Sequence, residues 1–112
     1  MSSVANPGGP MDLRAIDRLV AEHVMGWTHY DRSRWFTSHG YEMELPFFSE
    51  EIDDAWAITD RFGSWSMKRD RDSGVTTVCF EHDGNKHYDQ GVTPCLAICL
   101  CALRAKGVKV PP

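Results

Sequence analysis

Thr93-Pro94-Cys95-Leu96-Ala97-Ile98-Cys99-Leu100-Cys101-Ala102-Leu103-Arg104-Ala105-Lys106-Gly107 is the stretch that decides the fold. It reads as a helix with both ends specified. Thr93 suits the N-cap, and Pro94 at the first helical position gives up no useful donor. Arg104 and Lys106 place positive charge on the last turn, and Gly107 can take the left-handed closing conformation. Nearly everything between is apolar, so the helix is covered on most sides. A bilayer span needs about 20 apolar residues, so this is a core helix.

Working outward, Lys86-His87-Tyr88 predicts a short strand before the core helix, after an Asp83-Gly84 turn. Val75–Glu81 is rich in β-branched residues and predicts a strand. It pairs with Trp65–Arg69 through Asp72-Ser73-Gly74. Upstream, Ser49 predicts the cap of a helix over 50–62, with Ile52, Ala55, Trp56, Thr59 and Phe62 inward. Arg34–Ser38 and Tyr41–Leu45 flank His39-Gly40 and predict a hairpin, with Tyr41, Met43 and Leu45 on its buried face. Asp12 predicts the cap of a first helix, 13–25. Leu13, Ile16, Leu19, Val20, His23, Val24 and Trp27 form its apolar stripe, and Arg14, Asp17, Arg18 and Glu22 the wet face. Residues 1–11 are Pro/Gly-rich and predict a flexible leader, which leaves 12–110 as a single domain. The order helix-hairpin-helix-hairpin-helix predicts an α+β domain with a mostly antiparallel sheet.

The totals narrow the function. At 112 residues with 42% hydrophobic content, one domain with a modest core is expected. A net charge of −4 argues against general binding to nucleic-acid backbones. A local basic pocket stays compatible with that charge. The start has neither a basic n-region nor an apolar h-region, so four cysteines read as reduced thiols in a cytoplasmic protein.

Several groups could carry chemistry. Cys79 and His82, with Cys95 and Cys99, are candidate zinc ligands as two close pairs; the plainer account is core packing. Cys95 in the first helical turn is a candidate nucleophile, with His82 or His87 as base, against an inert thiol. Glu50, Glu51, Asp53 and Asp54 could bind Mg²⁺, but helix N-terminal charge already explains them. Trp27, Trp56 and Phe62 fall on inward stripes. Tyr30, Trp35 and Tyr41 have no inward role and lie near Arg32 and Arg34, a combination suited to stacking on a base or to a protein contact. Lys68, Arg69 and Arg71 complete the candidate cations for a phosphorylated ligand. Phosphate-cradling loops, the GxSxG elbow and HExxH are absent from the sequence.

Three segments resemble the phage ABA sandwich domain family: Val24-Met25-Gly26-Trp27, Phe48-Ser49 leading into Ile52 and Ala55-Trp56, and Thr93-Pro94 with the helix that follows. The resemblance covers about 11–107. It implies a three-layer α/β/α sandwich and a phage or prophage gene, and brings no reaction or catalytic residues. It therefore points to a non-enzymatic binding protein without a cofactor. Two modes fit antagonism of host defence: blocking a host protein, or sequestering a nucleotide signal, which predicts an oligomer. A metal- or cysteine-dependent enzyme and a phage assembly protein are the alternatives.

Overall fold

A computed structural model describes residues 12–31 and 34–110. The first helix, α1 (Leu13–Leu19), is capped by Asp12, whose carboxylate accepts the Ala15 N–H. It continues as a π-helical turn over Val20–Val24. Three short strands follow: β1 (Thr28–His29), β2 (Arg34–Phe36) and β3 (Glu42–Glu44). Then come α2 (Ile52–Thr59), β4 (Ser64–Arg69), β5 (Thr76–His82), β6 (Asn85–Gly91) and α3 (Pro94–Ala105). The fold is α+β with two antiparallel three-stranded sheets, ordered β1-β2-β3 and β4-β5-β6, where a single sheet was expected. The first expected hairpin gains a third strand, β1, while the second pairs with the expected last strand, which extends over Asn85–Gly91. Thr28–His29 was too short to show as a strand in the sequence. None of the described helices is long and apolar enough to cross a membrane.

The core helix forms as its sequence dictates. The Thr93 hydroxyl accepts the Leu96 N–H at 3.2 Å, and Gly107 adopts φ +74°. Ala97, Ile98, Cys99, Cys101, Ala102 and Leu103 are fully buried. They pack on β5 and β6, on α2 and on the first helix. In the large sheet Val78 sits opposite Met67 and Asp89, and Phe80 opposite Trp65 and His87. This face carries the buried Thr76, Val78 and Phe80 against α3. Burying a side chain such as Phe80 contributes about 1.5–3 kcal/mol. The other face, with Lys68, Glu81, Lys86, Tyr88 and Gln90, is open to water. All six residues of β4 are exposed too, because α3 covers the other two strands of the sheet.

Four expectations change in three dimensions. Asp17, expected on the wet face of α1, is fully buried. It bonds Arg14 at 2.7 Å and the Ser49 N–H at 2.8 Å. Ser49 is therefore spent on α1, and Glu51 takes the N-cap position of α2. Trp56, expected inward, is 39% exposed beside the equally exposed Trp65, at 5.3 Å between rings. Of Tyr41, Met43 and Leu45, only Leu45 is buried. Among the described residues β3 packs mainly on β2, so alternation in that strand does not mark an inside.

Candidate functional site

The β4–β5 hairpin is closed by its own polar atoms. The Asp70 N–H donates to the Val75 carbonyl, and the Gly74 N–H to the Asp70 carbonyl, both at 2.8 Å. The Asp70 carboxylate accepts the Asp72 N–H at 2.9 Å, and the Ser73 hydroxyl accepts the Val75 N–H at 3.2 Å. Gly74, at φ +74°, supplies the left-handed residue that the turn requires. With Asp70 and Ser73 engaged in the backbone, Lys68, Arg69 and Arg71 make no ion pair among the described residues. Lys68, Arg69, Asp70, Arg71 and Thr77 line one concave space of about 480 Å³. By contrast Arg14, Arg34 and Arg104 each sit on a carboxylate. Two guanidinium forks and an ammonium beside a threonine form a donor set matched to phosphate oxygens.

The remaining candidates lie in the small sheet. Tyr30 and Tyr41 are strongly exposed, and Tyr30 packs edge-on to Phe36 at 5.3 Å. Arg34 is ion-paired with Glu42, so its charge is already compensated. Arg32 lies outside the described residues. Trp35 corrects the expectation of an exposed ring: it is 1% exposed and stacked on His29 at 4.7 Å. Pairing of β2 between β1 and β3 places it in the core cluster. The expected single surface is thus two features on two sheets. Sequence reasoning missed a hollow of about 290 Å³ lined by Arg18, Glu22, His29 and Trp35. It also missed an apolar groove of about 460 Å³ where Leu13 and Ser49 face Val92, Thr93 and Leu96. The hollow is closed by the folding of the first strands back onto the first helix, and the groove by elements far apart in sequence.

The thiols behave as packing groups. Burial, and then the nearby Glu51 and Asp54 carboxylates, raise the Cys95 thiol, against the lowering by its own backbone amide at the helix start. The expected activation by the helix dipole is thus outweighed. Burial holds the Cys99 thiol well above its ordinary range and pushes Cys101 up to about 11. The single Cys101 S–H is shared between the His87 and Val78 carbonyls, at 3.1 and 3.3 Å. Among the described residues no three His, Cys, Asp or Glu side chains gather as metal ligands, so Cys79, His82, Cys95 and Cys99 are not brought into one cluster. His82 instead approaches Asp83 at 3.3 Å, and the Phe62 ring stands edge-on to it.

The class that fold and site define is a small α+β domain of helices and antiparallel sheets, with a basic hairpin whose cations make no ion pair among the described residues. The chain belongs to the phage ABA sandwich domain family, whose model matches residues 18–103. Its fold is also similar to the crystal structure of a phage protein from Bacillus cereus ATCC 14579. The TM-score is 0.77 at 19% identity, over 93% of this chain and 95% of that one. Among curated proteins, none matches.

Proposed function

We infer that this is a non-enzymatic binding protein of a phage or prophage that sequesters a phosphorylated small molecule, a nucleotide signal of host defence, in the host cytoplasm. The observation that carries this reading is the set Lys68, Arg69 and Arg71 around one hollow, making no ion pair among the described residues. Unpaired cations in a concave site favour a multiply charged ligand over water and monovalent counterions. Tyr88 stands exposed on the open face of the same sheet, two strands from β4, and offers a ring to a base. The raised thiols of Cys95, Cys99 and Cys101 support a reading without nucleophilic chemistry.

Calorimetric titration with cyclic di-GMP, ADP-ribose and ATP tests it. At least one ligand binds with a Kd of about 10 μM or tighter, and the double variant Lys68→Gln/Arg71→Gln weakens it at least about tenfold. Absence of binding across the panel, or binding indifferent to that variant, overturns the reading. A second reading, blockade of a host protein, has its own support in β3. Glu42, Met43 and Glu44 are all exposed there, next to an exposed Tyr41 and Phe47. It predicts capture of one host protein that the Tyr41→Ala/Met43→Ala variant no longer retains.

A further inference from the structure

We propose that β4 is an interface for a second copy of this chain, added antiparallel, strand to strand, so that two three-stranded sheets join into one of six strands.

The strand is an edge in the order β4-β5-β6, and all six of its residues are exposed. Among the described residues, one row of its backbone N–H and C=O groups therefore has no ladder partner, over about 20 Å of edge. The edge also carries apolar surface. Trp65 and Met67 share the face of Phe80 and Val78 but lie beyond the cover of α3. Trp56 packs on Trp65, and Ile52 precedes Trp56 by one helical turn. These four large side chains are each 38–40% exposed. The opposite edge, β6, lacks such a patch: Tyr88 is its single large exposed apolar residue, and Asp89 is tied to Arg104 at 3.6 Å.

The residue order of β4 selects a second copy as the occupant. Joining two copies with their buried faces on one side allows only registers that keep each residue opposite one of the same face. Centred on Met67, the pairing places Trp65 opposite the partner's Arg69, Ser66 opposite the partner's Lys68, and Met67 opposite itself. Each guanidinium then lies by an indole, an attractive pairing. Centred on Lys68, two ammonium groups would stand directly opposite, which is destabilising. Centred on Ser66, Arg69 falls opposite Gly63 and loses its aromatic partner. Of these three registers the Met67 one is the most complementary. It leaves Lys68 and Arg71 accessible and does not depend on the ligand reading.

Sedimentation equilibrium of the full chain tests the interface. The expected result is a concentration-dependent dimer that Met67→Lys weakens at least about tenfold, since it puts like charges opposite at the centre. A second variant guards against misfolding of the first. Opposed strand residues have Cα atoms about 4.5–5.5 Å apart, within disulfide reach, so Met67→Cys forms a covalent dimer under mild oxidation while the unmodified chain does not. A monomeric wild-type chain, a dimer unchanged by Met67→Lys, or a folded Met67→Cys that does not cross-link overturns the proposal.

Discussion

Asp17 on the first helix accepts the backbone N–H of Ser49 at 2.8 Å, across 32 residues, from a position with no solvent access. Its other oxygen holds Arg14 at 2.7 Å. Arg14 in turn donates to the Leu45 and Pro46 carbonyls and lies 4.0 Å over the Phe47 ring. One carboxylate and one guanidinium thus fasten the 45–49 segment onto α1, and that segment sets where α2 begins.

Asp17→Ala leaves the Ser49 N–H without an acceptor and frees Arg14. A loss of about 2–3 kcal/mol is expected in urea unfolding at pH 7. Asp17→Asn keeps an acceptor for Ser49 and costs about half as much. Equal losses for the two variants would place the whole effect on the charge.

Trp35→Ala removes the largest fully buried side chain. The expected cost is about 3–5 kcal/mol, which in a domain of this size lowers Tm by more than 10 °C. Thermal unfolding by circular dichroism gives the answer. A shift below about 3 °C would mean that the ring does not belong to the core.

Gly91→Ala places a Cβ 2.6 Å from the Ala97 backbone nitrogen, where the end of β6 meets the first turns of α3. Backbone on both sides has little freedom to yield. A destabilisation of about 1–3 kcal/mol is expected in the same unfolding assay. At Gly63 the added Cβ meets open space, so Gly63→Ala is the control.

High pH weakens this fold. The Cys101 thiol keeps its proton up to about 11, and Cys99 is also raised well above 9.0. The unfolded chain loses these protons earlier, near the ordinary thiol pKa of about 8.5. Between those values the unfolded state binds fewer protons, so stability falls as pH rises. The slope approaches about 1.4 kcal/mol per pH unit for each such thiol. Below pH 8 both states are protonated and the effect vanishes. Urea unfolding from pH 7.5 to 10.5 follows the loss, and Cys101→Ala reduces the slope.

Much of the fold was legible. Asp12 and Thr93 cap as expected, because each competes with no partner beyond its own first turn. Gly26, Gly40, Gly74, Gly84 and Gly107 all take positive φ at element ends, where local steric freedom alone decides. The cations of the candidate site were legible as residue types. Their lack of ion pairs among the described residues was not, since the nearby Asp70 carboxylate folds back onto the Asp72 N–H.

By itself, then, the sequence determined the core helix, the Asp12 and Thr93 caps, the turns and the β5 strand. Each follows from interactions within a few residues, or from one long apolar run that has to be buried. Tertiary structure alone decided that Asp17 is internal, that Trp35 is core while Trp56 is half-exposed, and that the strands form two sheets. Those outcomes depend on which surface α3 covers and which it leaves bare. That is set by the meeting of segments more than 30 residues apart, such as Asp17 and Ser49, and local pattern does not encode it.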